Sequence, residues 1–217
     1  VKPAIEHWFG PIPAGETNSR NLPYEPPQKE KRIHREVRDV PHHLFYKAWH
    51  MTPRTHPDFY VYDLITDILA NGDSSRLNQK LVKENHIFSS IDAYITGEIE
   101  PGMLIVSGTI SNGYSAEEAE KAVDEEIEKL KHDPVTDAEL QKVKNKAEAT
   151  MEFGKLSGLN KAYLLAYFEL LGDASSINYE MEYYRRVSKD DVSRVAKEAL
   201  VENNASVLYY LSKQLTK

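Results

Sequence analysis

The sequence contains no cysteine. This absence excludes disulfide bonds, thiolate metal sites and cysteine nucleophiles, and it removes redox chemistry as a guide to compartment. No apolar run approaches the roughly 20 residues of a membrane-spanning helix. No signal segment is recognisable at the start of the sequence either.

Clusters of basic residues are also scarce. The formal net charge is −7, and no basic run is longer than 29–32. Nucleic acids and anionic membranes bind clustered Lys and Arg, so we exclude both as main partners. Hydrophobic residues make up 41% and charged residues 28% of the 217 positions, as in globular domains with a real core. This length fits one large domain with a tail, or two small domains.

The hydrophobic periodicity predicts elements in the order β-β-α-α-β-β-α-α-α-α-α-β. The predicted strands are 32–40, 44–49, 88–96, 103–110 and 205–211. A helix from about residue 57 precedes a short helix capped by Ser74 or Ser75, and three capping boxes (Ser115–Glu118, Thr136–Glu139 and a variant, Ser188–Asp191) open later helices. Strands on both sides of a helical block predict an α+β fold, with an antiparallel or mixed sheet covered on one face by helices.

The composition and the hydrophobic pattern divide the chain into three segments. Residues 1–9 have the pattern of the last turns of a helix, which we assign to a preceding domain. Residues 10–30 hold five of the 11 prolines and form an extended linker. Residues 31–217 form the α+β domain. Because the chain opens at Val1 within a helical pattern, we expect it to be a piece of a longer protein.

The eight histidines give no metal motif. Neither H-E-x-x-H nor its inverse H-x-x-E-H occurs, so no helix presents the paired histidines and the carboxylate of a helical zinc site. His42 and His43 are adjacent and would point to opposite faces of a strand. His50 and His56 flank a proline-containing loop and would meet at a metal only if the fold happened to bring them together. We therefore predict no metal site in this chain.

Other catalytic and ligand patterns are equally weak. No G-x-S-x-G elbow marks a nucleophilic serine. The segment 71–77 resembles a phosphate loop only in having one glycine and two serines, and it joins two helices instead of a strand and a helix. The acidic run at 117–128 lacks the spacing of a calcium loop and is interleaved with lysines, as in a solvated helix face. We assign no catalytic residue.

Residues 57–96 contain a pattern that resembles a known protein family. The segment Asn71-Gly-Asp-Ser-Ser-Arg-Leu77, followed by Leu81-Val-Lys-Glu-Asn-His-Ile-Phe-Ser-Ser90, resembles the pattern L-G-G-G-x-S-S-R-L-x-x-x-L-R-E-x-x-G-L-A-Y-S of pitrilysin/insulinase-type (M16) peptidases. The helix end with its linker at 5–14 and the last helices and strand near 205–210 also resemble such proteins. The resemblance therefore spans nearly the whole chain, and its S-S-R-L block is moderately specific.

The resemblance implies two homologous domains that together form one half of a clam-like chamber and that have different functions. The first domain carries H-x-x-E-H, a distal Glu ligand and the catalytic base. The second carries no zinc and often supplies an Arg and a Tyr, seven residues apart, to the substrate backbone. Those positions fall on Val82 and Ser89 in this sequence. Val cannot donate a hydrogen bond and Ser is too short to reach, so we expect this substrate contact to be lost. Phe88, one position earlier, should face the other way by strand alternation, and it has no hydroxyl.

These considerations predict a non-catalytic C-terminal domain of an M16-type zinc peptidase, inactive on its own, that walls the chamber and holds partner domains. The expected partners are an upstream M16 domain, a second M16 subunit and peptides. Zinc is expected only upstream or on another subunit. The alternatives are a scaffolding M16-like protein without peptidase activity, or a module that binds peptides at a sheet edge. The sequence does not determine the cellular compartment, and only the resemblance suggests an exported bacterial protein.

Overall fold

The computed structural model describes residues 1–16, 23 and 25–215. The strands are β1 Arg32–Arg38, β2 Leu44–His50, β3 Phe88–Ile95, β4 Met103–Ile110 and β5 Ala205–Ser212. The α-helices are α1 Lys2–Phe9, α2 Phe59–Leu69, α3 Ala116–His132, α4 Asp137–Gly154, α5 Gly158–Leu170, α6 Glu180–Arg186 and α7 Lys189–Ala199. A π-helix spans Asn78–Glu84, and 3-10 helices span Ala174–Asn178 and Glu202–Asn204.

The five strands form one mixed sheet in the order β1-β5-β2-β4-β3. The β3–β4 hairpin is antiparallel, as its short connection predicts, and β2 is antiparallel to both β4 and β5. Only the pairing of β1 with β5, from opposite ends of the domain, is parallel among the described strands. The predicted α+β class and the mixed sheet are confirmed.

The two faces of the sheet differ in burial. Phe45 and Trp49 of β2, Phe88 of β3 and Val207 of β5 point to one face and are at most 3% exposed. They pack with α2, α3 and α7 in a single core cluster. Alternate residues of the same strands point to the other face and are half-buried or exposed. Helices therefore cover one face and leave the second as a surface, which we call the open sheet face.

The three predicted capping boxes are present. In α3, the Glu118 backbone N–H donates to Ser115 Oγ at 3.2 Å while Glu118 Oε2 accepts the Ser115 N–H at 2.8 Å. The boxes of α4 and α7 have the same reciprocal geometry. These bonds satisfy amide groups that an α-helix leaves unpaired at its start, which explains why these three boundaries were predictable.

The short helix after α2 departs from its prediction. Its helical turns start at Arg76 and continue as a π-helix from Asn78, so Ser75 directly precedes them, but neither serine hydroxyl accepts a backbone amide. Ser75 Oγ instead donates to the Gly72 carbonyl at 2.6 Å, in a turn where Gly72 has a φ of 110°. The same oxygen accepts from the Asn78 side-chain amide at 3.0 Å, so the hydroxyl closes the chain reversal without capping the helix. Between α5 and α7, the chain forms a 3-10 turn followed by α6.

The S-S-R-L block has a structural role. Arg76 binds Glu139 through two bonds, Nε to Oε1 at 2.9 Å and Nη2 to Oε2 at 3.2 Å. Ser74 Oγ accepts from Lys142 Nζ at 3.0 Å, and Leu77 is completely buried. Burial opposes ionisation of Glu139, but the bonds from Arg76 and from the Thr136 amide lower its pKa to about 2. The block thus anchors the start of α4 to the turn after α2.

A buried ion-pair network fastens α3 to the sheet. The Lys47 side chain is 2% exposed, and its Nζ lies 2.8 Å from Glu120 Oε1 and 2.6 Å from Asp124 Oδ1. Lys31 Nζ lies 2.6 Å from the same Glu120 oxygen, and the Tyr209 hydroxyl donates to the other oxygen. Burial alone would raise the pKa of Glu120, but these three donors lower it to about 2. Glu120 is therefore an anion in the folded protein at neutral pH.

The residues of the N-terminal helix are exposed. Helix α1 buries none of its residues, and Trp8 is 72% exposed. Further along, Gln28 is buried, and its Nε2 donates to the Ala205 carbonyl of β5 at 2.6 Å. Part of the predicted linker, 17–22 and 24, lies outside the described residues, as does 216–217 of the predicted domain. Among the described helices, none is both long and apolar enough to cross a membrane.

Candidate functional site

The open sheet face has an apolar centre and polar edges. Its central row joins Leu208 of β5, Tyr46 of β2 and Ser107 of β4 by register, and Asp92 of β3 ends that row. The flanking rows place further half-buried apolar residues beside Tyr46; these are Leu44, Ala48, Ile105 and Tyr210. An apolar patch rimmed by polar groups is typical of a surface that binds protein or peptide.

A shallow depression of about 200 Å³ lies on this face next to β3. Tyr46, Ser90, Asp92 and Thr109 are among its lining residues. Its polar groups are hydroxyls and one carboxylate. These groups can hydrogen-bond a polypeptide, but the lining offers no histidine, lysine or second carboxylate to act as a partner in acid–base catalysis.

The two positions assigned to the substrate contact lie at the entry to β3. Val82 is half-buried and packs against the core from the π-helix. Ser89 is the extra residue of a β-bulge, because Phe88 pairs with Ile110 while Ser90 pairs with Thr109. The Ser89 hydroxyl donates to the Thr109 carbonyl at 3.2 Å. Both side chains therefore have local structural contacts.

The ring at position 88 does not replace the missing tyrosine. Phe88 is 1% exposed and meets Phe45 edge-on, with ring centroids 6.0 Å apart, on the covered face of the sheet. The bulge leaves Ser89 and Ser90 exposed and keeps Phe88 in the core. Strand alternation predicted this orientation of Phe88.

His86 supports the proposed alignment with the M16 pattern independently. It is the only described non-glycine residue with positive φ, at 53°. It stands where the quoted pattern has glycine, the residue that adopts this conformation without steric cost. Its ring Nδ1 lies 2.9 Å from the Val82 carbonyl oxygen. The histidine therefore terminates the π-helix at a turn suited to glycine.

The histidines singled out in the sequence do not converge on a site. His43 Nδ1 accepts the Ser212 backbone N–H at 2.9 Å, and His56 Nδ1 accepts that of Asp58 at 3.1 Å. His42 is exposed, and His50 Nε2 lies 3.9 Å from a Glu25 carboxylate oxygen. Within residues 1–16, 23 and 25–215, no three His, Asp or Glu side chains are grouped so that they could hold a metal ion. These residues do not fit a zinc site.

Sequence reasoning missed a cavity of about 460 Å³ on the helical side. It lies between α2, α4, α5 and the 3-10 turn before α6, with lining residues that include Asp63, Met151, Phe168 and Tyr184. Asp63 belongs to α2, where nine of 11 residues are buried. A carboxylate inside so apolar a helix was the available signal, because such groups are rarely buried without a purpose or a partner.

The architecture is thus a two-layer α+β domain, with helices on one face of a five-stranded mixed sheet. A family model described as "Peptidase M16 inactive domain" matches residues 1–147. The chain therefore belongs to this family, and the resemblance inferred from the S-S-R-L segment is confirmed. No curated protein gives a significant match to the chain.

Solved structures share the fold at low sequence identity. A protease from Helicobacter pylori superposes with a TM-score of 0.88 at 21% identity, covering 96% of this chain and 51% of that one. An M16 inactive domain from Pseudomonas fluorescens gives a TM-score of 0.72 at 16% identity, over 89% and 47% of the two chains. A chain of Complex III2 from Candida albicans gives 0.70 at 16%, over 83% and 45%. The chain spans about half the length of these relatives.

Proposed function

We propose that this chain is a non-catalytic M16 domain that packs its open sheet face against a partner M16 domain and walls a substrate chamber. Residues 1–9 would belong to the preceding domain, 10–30 would link the two, and 31–217 would form the wall. Peptide hydrolysis would take place at zinc held by the partner. In this role, the chain would support a peptidase without contributing catalytic groups of its own.

The observation that carries the proposal is the asymmetry of the sheet. Its covered face is sealed by helices, whereas Tyr46, Leu208 and Tyr210 on the other face are only half-buried. Apolar area left open in this way is stabilised when a second domain covers it, at roughly 25 cal/mol per Å² buried. The match to the inactive-domain family supplies the kind of partner.

Two positions near the entry to β3 support the absence of a direct substrate contact. Val82 offers no donor, and the Ser89 hydroxyl already donates to the Thr109 carbonyl. A donor aimed at a developing oxyanion must reach within about 3 Å of it. We propose that the role of the usual Arg and Tyr is absent from this chain.

Association with the partner tests the interface. The chain should be mixed with the separately produced zinc-bearing M16 domain, and the dissociation constant measured by isothermal titration calorimetry. Leu208→Asp should weaken association at least roughly 10-fold, because a buried unpaired carboxylate costs more than 1.4 kcal/mol. Tyr163→Asp on α5, 67% exposed on the helical side, is the matched control and should leave the dissociation constant unchanged.

Equal affinities for the Leu208→Asp variant and the unmodified chain would place the interface elsewhere. Equal weakening by the Tyr163 control would show that association depends on charge in general. A scaffolding role is the second candidate, favoured by the shared fold with a chain of Complex III2. It predicts the same association without hydrolysis of unfolded peptides by the assembled complex, whereas the chamber role predicts zinc-dependent hydrolysis.

A further inference from the structure

The cavity on the helical side has walls of mixed chemistry. Met151, Leu164, Phe168 and Ile177 supply apolar surface, and its volume of about 460 Å³ lies in the range of small-molecule sites. The lining also includes Asp63, Asp67 and Lys146. These side chains add charged groups to a lining that is otherwise largely apolar.

The Asp63 carboxylate at this cavity can accept more hydrogen bonds than it receives from the described residues. The Tyr184 hydroxyl donates to Asp63 Oδ2 at 2.7 Å. In the described part of the chain, Oδ1 of the same residue receives no hydrogen bond from a side chain or backbone group. Asp63 is only partly exposed, and it is one of the residues that line the cavity.

The nearby cations are already engaged. Lys146 Nζ lies 2.9 Å from Asp67 Oδ1, and Arg54 donates to Tyr60 and to the buried Glu180 carboxylate. Burial raises the pKa of Asp63 and the neighbouring Asp67 raises it further, whereas the Tyr184 hydroxyl and the charges of Arg54 and Lys146 lower it. Within the described chain, no Lys, Arg or His forms a direct ion pair with the Asp63 carboxylate.

The geometry points to a binding site for a primary ammonium group carried on an apolar chain. The ammonium would donate to Asp63 Oδ1, and the apolar chain would lie against Phe168, Met151 and Leu164. The aromatic rings of Phe168 and Tyr184 would add attraction for the cation. Free amines and lysine side chains share this chemistry. The inference does not depend on the proposed role in a peptidase.

Calorimetric titration at pH 7 with 4-phenylbutylamine tests the site, with 4-phenylbutanol as the neutral counterpart. The amine should bind at least roughly 10-fold more tightly than the alcohol, as expected for a charge-assisted hydrogen bond in a partly buried site. Amide NMR shifts on addition of the amine should cluster in α2, α4 and α5. Nα-acetyl-lysine methylamide separates the sources, because it binds only if a lysine side chain can enter from a polypeptide.

Two variants locate the interaction. Asp63→Asn keeps an oxygen for the Tyr184 hydroxyl and should reduce the preference for amine over alcohol to under roughly 3-fold. Leu164→Trp should fill the cavity from α5 and abolish binding of both probes. Equal binding of amine and alcohol, undiminished binding to folded Asp63→Asn or Leu164→Trp protein, or no binding of the amine at all would each overturn the inference.

Discussion

Replacement of Glu120 by glutamine tests the ion-pair network that joins α3 to the sheet. The variant keeps the size of the side chain and removes its charge, leaving Lys47 and Lys31 without their shared carboxylate. The pKa of Glu120 is lowered from its usual 4.5 to about 2, despite burial that opposes ionisation. Such a shift corresponds to about 3 kcal/mol of stability at pH 7.

The pH dependence of this loss follows from the direction of the shift. A carboxylate with a lowered pKa stabilises the folded state above 4.5, and the stabilisation disappears as pH falls through about 2. At pH 3.5 about 2 kcal/mol of it should remain. Asp124 has a raised pKa and the opposite dependence, and it is present in both proteins. Burial is the main cause of that shift and the Glu120 charge is a lesser one, so the loss of the Glu120 carboxylate governs the difference between the two proteins.

Urea denaturation of both proteins at pH 7 and pH 3.5 measures these differences. The expected gap in unfolding free energy is about 3 kcal/mol at pH 7, narrowing to about 2 kcal/mol at pH 3.5. Glu125→Gln on the same helix is the matched control, since this side chain is 61% exposed and 3.9 Å from Lys121. The control should change stability by less than about 0.5 kcal/mol. A gap that does not change with pH would refute the electrostatic explanation.

Two further predictions concern local backbone geometry. His86→Gly and His86→Ala both lose the ring contact to Val82, but only glycine relieves the cost of the positive φ, so the glycine variant should be the more stable by about 1 kcal/mol. Thermal denaturation compares the two variants, and equal stability would contradict the reasoning. Gly108→Ala should cost at least about 2 kcal/mol, because its Cβ would lie 2.6 Å from Cδ1 of Phe88. A Cβ at Gly158 would meet no neighbouring atom within 4 Å, so Gly158→Ala is the control in the same assay. Equal losses of stability in the two variants would count against a steric cause.

The sequence was most informative where one local mechanism decides the structure. The capping boxes at Ser115, Thr136 and Ser188 predicted helix starts because a side chain and an amide three residues apart satisfy each other. Alternation predicted which face Phe88 occupies, since every second strand residue turns inward.

The pairing of strands that lie far apart in the sequence could not be predicted in the same way. The parallel partnership of β1 with β5 joins residues more than 170 positions apart, and no local pattern encodes it. The role of Ser75 depends on the Gly72 carbonyl in the folded turn, and a hydroxyl in a serine pair before a helix also fits a cap. Asp63 was overlooked because its cavity exists only once α4 and α5 close around α2.

Peptide hydrolysis by the purified chain tests the central claim most directly. A fluorogenic mixture of unfolded peptides should be incubated with the chain, with and without added zinc, beside a buffer control. We predict no hydrolysis above the control in either condition, since the described residues supply no grouped metal ligands. Zinc-dependent cleavage that is abolished by replacing His42, His43 or His50 with alanine would contradict the claim that this domain is non-catalytic.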